Sequence, residues 1–255
     1  MESQKLPLMQ STIAFFIDAA GNVDFPHAAT CSSHDDRLVL AAESHTFKIK
    51  MAVNPLQRKR VNMLIDKMYS GRGYETHRTM DDDPNKVTLV AYSQNRAVGT
   101  LSIRPDSRNG LFADETHHDE LNRIRAQGGK LCEFTGFAID PGIKSKRLLA
   151  SLFHVAYLYP FRILGHSDGV LEVNPRHVKF YEKMLGFVRI GAERICPRAN
   201  AASVLLRTNF ANVAEQVKKY GGFAEKTEAE KLLYPYFFSH SMENIILSRL
   251  SADCA

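Results

Sequence analysis

The sequence predicts an α/β domain with a mixed sheet, and three observations carry that prediction. Runs rich in β-branched residues recur along the chain, and amphipathic stretches at helical spacing fall between them. Their order is β, α, β-hairpin, long connection, β, α, β, α, β, β. A hairpin makes antiparallel neighbours, whereas strand-helix-strand units bring strands together through crossovers, so both kinds of pairing are expected in one sheet.

Residues 1 to about 45 mix the apolar piece IAFFIDAA with the turn residues Gly21, Asn22 and Pro26 and sustain no period, so they read as an irregular N-terminal arm. Regular structure begins at TFKIKMAV, whose alternation is that of a strand. Asn54-Pro55 then supplies a helix cap and a first-turn proline, and Val61, Leu64, Ile65 and Met68 follow at helical spacing as far as Ser70-Gly71-Arg72-Gly73. VTLVAYSQNRAVGTLSIR, residues 87 to 104, is a hairpin around Ser93-Gln94-Asn95-Arg96. A polar stretch with His117, His118 and Asp119 reads as a loop, with a helix around DELNRIRAQ.

The next strand is LCEFTGFAID, and Leu148, Leu152, Val155, Ala156 and Tyr159 beyond it form a helix face that packs on a sheet. GVLEV is a strand. Asn174-Pro175 opens the short helix RHVKFYEKML, which Gly186 closes. FVRIGAERI and ASVLLRT are the last strands, and helical segments are expected around 211 to 219 and 225 to 233. The domain thus spans 46–210, followed by a helical extension over 211–255 that packs on it.

Composition excludes several classes. The chain has 255 residues, 44% of them hydrophobic, enough for one substantial core. Lys and Arg total 33 against 28 Asp and Glu, a net charge of +5 that favours anionic partners only mildly. Tryptophan is absent and no basic tract alternates with aromatics, so nucleic acid is not an expected partner. The cysteines Cys31, Cys132, Cys196 and Cys254 are scattered, which suits a reducing cytoplasm, and Cys31 with His34 lacks a second half, so no metal site is expected. No apolar run approaches the roughly 18 residues of a membrane span, and no signal core follows the N-terminus; peripheral membrane contact stays open.

The junction LCEFTGFAIDPGIKSKRLLASL is the most informative stretch. A strand feeding a helix start is a phosphate-binding device, yet this one has a single glycine in its turn and three cations, Lys144, Lys146 and Arg147. Further on, NPRHVKFYEKMLGF resembles the last signature of the GCN5-related N-acetyltransferase superfamily, in which an Asn opens a helix, a Tyr follows and Gly-Phe closes it. LCEFTGFAID, following a hairpin that ends in Ser102-Ile103-Arg104, is most similar to the N-acyl amino acid synthases of that superfamily, relatives of the acyl-homoserine-lactone synthases. The likeness covers roughly residues 46 to 210.

The resemblance implies a mostly antiparallel mixed sheet flanked by helices. It also implies an acyltransferase that moves a fatty acyl group from acyl-carrier protein to the amine of an amino acid, with tyrosine among the acceptors it suggests. No resident cofactor is implied; acyl-phosphopantetheine on the carrier, or acyl-coenzyme A, is a cosubstrate. The superfamily's glycine-rich turn around the coenzyme A pyrophosphate is replaced here by Asp140 to Arg147. Long cations in place of bare backbone suit a phosphodiester or an acidic carrier surface held farther away. Gly142, Lys144, Lys146 and Arg147 are therefore donor-binding candidates, the alternative being that the three cations only face solvent at a helix start; Asn174 joins them, with the backbone of Phe137, Ala138 and Ile139, which would pair with pantetheine amides as an added edge.

Aminolysis of a thioester needs a deprotonated amine and no covalent nucleophile. Glu133, a carboxylate inside an apolar strand, is the candidate general base; the lactone synthases have a glutamate in a comparable strand position, and the alternative is an ion pair with Arg104. Arg104 is the candidate for holding the acceptor carboxylate, or else for pairing with Glu133. Tyr181 is the candidate acid for the leaving thiolate, with core packing as its alternative. Cys132 reads as a buried apolar cysteine, His154 as a satisfied histidine and His177 as an exposed one. The run EKLLYPYFFSHSMENIILSRL reads as completing the core, with a cover over an acyl tunnel as its other use. An acetyl-coenzyme A acetyltransferase and a binding module without chemistry are the competing readings.

Overall fold

Strand pairing starts earlier in the chain than the sequence suggests. The computed structural model describes residues 14–17, 23–24, 47–52, 55–71, 85–224 and 231–252. Within the stretch expected to be irregular, Ala14–Ile17 (β1) and Val23–Asp24 (β2) are strands. β1 pairs antiparallel with Phe47–Met51 (β3). Four apolar residues are too few to show a period, and their partner is distant in sequence, so this strand is specified by long-range pairing. The rest of the arm, Cys31 and His34, the Asn54 cap, Arg72-Gly73 and residues 225–230 lie outside the described residues.

β3 buries Phe47, Ile49 and Met51 and half-exposes the lysines between them. Helix Pro55–Ser70 (α1) lays Val61, Leu64, Ile65 and Met68 on Val90, Tyr92 and Ala138. The hairpin strands are Val87–Ser93 (β4) and Arg96–Pro105 (β5), and Gln94 and Asn95 between them take φ of 47° and 64°, as the turn twisted to suit a hairpin requires. Next come Asp114–Ala126 (α2), Leu131–Ile139 (β6) and Lys146–Leu158 (α3). The expected polar loop at His117 is instead part of α2: the helix kinks there, and the ring is 0% exposed.

Asp168–Val173 (β7) leads into a single 3-10 turn, Pro175–His177, and helix Val178–Leu185 (α4), which Gly186 ends at φ 68°. The single strand expected from FVRIGAERI is two short ones, Val188–Arg189 (β8) and Arg194–Cys196 (β9). The break falls where a side chain on Gly191 would come within 2.9 Å of His117, so the backbone there presses on the ring and leaves the ladder. Ala201–Asn209 (β10), Phe210–Tyr220 (α5) and His240–Ala252 (α6) complete the elements. Of the second C-terminal helix expected, residues 231–233 are not helical, and a 3-10 turn, Tyr234–Tyr236, follows them. Proline at 235 suits a first turn and not a helix interior.

Among the described residues the strands form one ten-stranded sheet in the order β2-β1-β3-β4-β5-β6-β7-β10-β8, with β9 on the start of β10. Every pairing is antiparallel except β6 with β7. That parallel pairing stops at Glu133 and Val170, although β6 runs on to Ile139 and β7 to Val173. On its other edge β6 carries one extra residue against β5, between the Ser102–Thr135 and Thr100–Ala138 pairs. Gly136 in that bulge has φ 58°, which favours glycine. The bulge bends β6, and the two strands part.

α2 covers one face of the sheet, with Leu121 and Ile124 on Leu131, Val170 and Leu205. α3 covers the other, and Leu148, Leu152, Val155 and Ala156 are all buried in the main core with Tyr159. Leu233, Tyr234, Phe237, Phe238 and Ile246 of the C-terminal segment belong to the same core. His154 is satisfied as expected: its Nδ1 accepts from the Phe238 N–H at 2.9 Å, which leaves Nε2 to donate to Glu243 at 2.7 Å.

Candidate active site

Where β6 and β7 part, the sheet opens into a cavity of about 740 Å³ that reaches from the α2 face to the α3 face. One end is apolar and aromatic, lined by Ile65, Tyr69, Phe137, Phe153, Phe180 and Tyr181. The other is polar, with Glu115, Glu133, Glu172, Arg198 and Ser203. Glu133 sits at the apex, on the last β6 residue paired with β7, and is 2% exposed.

Burial pushes the Glu133 carboxyl up to about 7, and Glu172 adds to the rise, against the opposing pull of Arg198, the Phe112 N–H and Arg104. The Phe112 N–H donates to its Oε2 at 2.6 Å and fixes the group in place. A carboxyl that titrates near neutrality is what proton transfer at ordinary pH needs.

Arg104 is the direct cross-strand partner of Glu133 and is 8% exposed, with its guanidinium 3.9 Å from the Phe112 ring centre. It is not among the residues that line the cavity. Tyr181 does line it, in edge contact with Phe153 and Phe187 at 6.2 and 6.0 Å. Asn174 is at the rim with its side chain committed: Oδ1 caps the turn by accepting from the Arg176 N–H at 3.2 Å, and Nδ2 donates to the Ala202 carbonyl at 3.1 Å. Phe137 lines the apolar end, and its carbonyl accepts from the Tyr69 hydroxyl at 3.2 Å, whereas Ala138 and Ile139 lie beyond the cavity in the ladder with β5. His177, expected to be exposed, is half-buried at the rim.

Gly142, Lys144, Lys146 and Arg147 lie outside the cavity, past the end of β6. The Gly142 N–H donates to Asp140 at 3.0 Å, and Ser145 caps α3 by accepting from the Leu148 N–H at 3.1 Å. Asp140 itself is matched by Lys67 and Arg96. Among the described residues Lys144, Lys146 and Arg147 have no acidic partner; Lys146 rests over the Tyr236 ring at 5.5 Å.

Glu172, Arg198 and Phe112 line the cavity and His117 stands behind Glu172; sequence reasoning placed none of the four in the site. Glu172 carried a usable signal, since it is a carboxylate in the apolar strand GVLEV just as Glu133 is in LCEFTGFAID. Its side chain is 6% exposed and accepts from Ser203 at 2.7 Å and from Arg198. Behind it, His117 Nδ1 lies 2.9 Å from an Arg194 N–H. An arginine can only donate, so the neutral ring holds its proton on Nε2, which points toward Glu172 Oε1 at 3.8 Å. Cys132 is fully buried and burial pushes its thiol well up, so it remains an inert thiol.

The family model described as N-acyl amino acid synthase FeeM matches residues 60–209. The chain is similar to the solved structure of FeeM, an N-acyl amino acid synthase from uncultured soil microbes. Identity is 26%, the TM-score is 0.61, and the match covers 66% of this chain and 93% of that one. Two further similar structures are an acyl-CoA N-acyltransferase from Pseudomonas aeruginosa (11% identity, TM-score 0.47, 63% and 98% covered) and the CoA-dependent acyl-homoserine lactone synthase BjaI (14%, 0.46, 62% and 80%). No curated protein matches the chain. The match takes in both strands that part and the glutamate between them, and it spans more than half of the sequence: the chain belongs to the N-acyl amino acid synthase family of the GCN5-related N-acetyltransferase superfamily and is an acyltransferase.

Proposed function

We propose that this enzyme moves a long-chain fatty acyl group from the phosphopantetheine arm of an acyl-carrier protein to the α-amine of an amino acid, tyrosine among them, in the cytoplasm. The observation that carries the reading is the cavity through the parted strands, apolar at one end, with a buried carboxyl titrating near 7 at its apex. The thioester carbonyl is held in the gap, and the acceptor comes from the polar side. Glu133, directly or through one water, takes the proton from the ammonium group. The freed amine then attacks the carbonyl carbon, the C–N bond forms and the C–S bond breaks. Tyr181 protonates the departing thiolate and is restored by the second amine proton, which the nitrogen gives up as the amide forms.

The donor assignment is supported by what surrounds the start of α3. A turn with one glycine and three long cations is poorly shaped to enclose a pyrophosphate by backbone alone, and cations without acidic partners suit an acidic docking surface. The test is a donor panel: long-chain acyl-carrier protein, long-chain acyl-CoA and acetyl-CoA, each with mixed amino acids, the products read by mass spectrometry. Long-chain N-acyl amino acids formed fastest from the carrier protein are the expected result. Equal or faster turnover of acetyl-CoA overturns the reading.

A further inference from the structure

The polar end of the cavity is built with more order than a proton acceptor needs. Glu133 and Val170 are register partners where the parallel pairing ends, and Glu172 is two residues further along β7. Residues two apart on a strand share a face, so both carboxyl groups leave the same face of the sheet from opposite sides of the gap. Arg198 reaches them from the loop between β9 and β10. Its Nη2 donates to Glu172, its Nε is 3.2 Å from a Glu115 oxygen but not in line for a hydrogen bond, and its Nη1 has no hydrogen bond among the described residues. Three carboxyl groups and one guanidinium therefore line this end.

A second observation comes from behind the wall. The Nε2–H of His117 is fully buried, has no hydrogen-bond partner among the described residues and faces Glu172 Oε1 at 3.8 Å. It therefore orients the Glu172 carboxyl from the side away from the cavity and leaves the other side of that carboxyl to face the opening. From this arrangement, and resting on the acyltransferase reading of the same cavity, we infer that Glu172 and Arg198 bind the acceptor as a zwitterion. Glu172 faces its α-ammonium group and Arg198 its carboxylate, which makes these two residues the ones that select for the acceptor's paired charges.

The chemistry fits both ends of such a ligand. The ammonium group enters between Glu133 and Glu172 and offsets part of the acidic excess, and this places the proton to be removed beside Glu133. The carboxylate takes the open Nη1 side of Arg198, where a charged N–H meets a charged oxygen. An amine without a carboxylate fills only the first position. An amino acid ester, which has no anion, leaves Arg198 without its new partner.

Two measurements test this. In the first, calorimetry without acyl donor compares tyrosine, tyrosine methyl ester and tyramine on the wild-type enzyme and on Arg198→Lys and Glu172→Gln, each checked for native unfolding. Wild type is expected to bind tyrosine about 10- to 100-fold tighter than the ester or the amine, the range for a charged hydrogen-bonded contact. Arg198→Lys, which keeps the charge and loses the planar fork, is expected to lose most of that preference, and Glu172→Gln to weaken all three ligands. In the second, kcat/KM ratios for the same acceptors with the best donor should move in parallel, with KM for the donor unchanged. Equal wild-type binding of tyrosine and tyramine, or a preference that survives Arg198→Lys, overturns the inference while acyl transfer stands. Arg198-dependent tyrosine binding without transfer from any long-chain donor supports the inference and removes the donor reading.

Discussion

Replacing Glu133 by Gln should make this enzyme slower and its fold firmer, and the second effect has a calculable dependence on pH. The carboxyl ionises at about 7 in the fold against 4.5 in an unfolded chain, because burial outweighs the attraction of Arg198 and Arg104. A displacement from 4.5 to about 7 corresponds to about 3 kcal/mol, at about 1.36 kcal/mol per pH unit. The unfolded chain gives up this proton first, so the contribution of the group is full below pH 4.5 and is lost as the pH rises through 7. Gln has the same shape, still accepts from the Phe112 N–H and has no proton to lose. Between pH 5 and 8.5 the variant should therefore gain about 2 to 3 kcal/mol on the wild type, or about 5 to 10 °C in Tm for a chain of this size. Thermal unfolding of both proteins across that pH range reads it directly. The same variant should lose about 100-fold or more in kcat, the usual weight of a general base, with little change in KM. Parallel Tm curves, or a native kcat, would refute the assignment of a buried, near-neutral base.

Two further outcomes follow from other parts of the fold. Reversing charge at Lys144, Lys146 and Arg147 together should raise KM for acyl-carrier protein about 10-fold or more at low salt, and far less at high salt because exposed charges are screened; salt-independent kinetics identical to wild type would remove these residues from docking. Burial keeps His117, His154 and His166 below the ordinary 6.5, so the unfolded chain takes up their protons first and their contribution to stability should fall as the pH drops below about 6.5, opposite in sign to that of Glu133. Urea titrations of the Glu133→Gln variant at pH 5 and 7, in which the opposing contribution is removed, check this, and replacing His117 by Gln in the same background should flatten the decline.

Much of the fold was legible because its signals are local. The Asn95 turn, the Asn174-Pro175 helix start, the Gly186 stop and the apolar face of α3 each announce themselves within a few residues, and all four are where the sequence puts them. β1 and the break at Gly191 were not legible, since the first depends on a strand far along the chain and the second on a histidine pressed against it from another helix. Glu133 was found through the cost of burying a carboxylate, and the same argument applied to Glu172 would have found it too. Arg198 sits in a loop with no period, and nothing but the closed structure shows that it meets Glu172.

The distribution of these failures follows from how the cavity is made. β6 and β7 pair for three residues and then separate, and the residue that separates them is a glycine in a bulge on the opposite edge of β6. The gap is therefore a property of two ladders at once, with the chemistry divided between strands whose sequences each look like ordinary core. In the proposed reaction Glu133 would supply the proton acceptor from one arm and Glu172 the counter-charge from the other, while Arg198 donates to Glu172 from a loop beyond both. Closing the gap would complete a ladder and bury more apolar surface. The gap keeps room for water or a ligand beside Glu133 and Glu172, which are only 2% and 6% exposed, and closing it would take that room away from carboxyl groups whose burial without partners is costly.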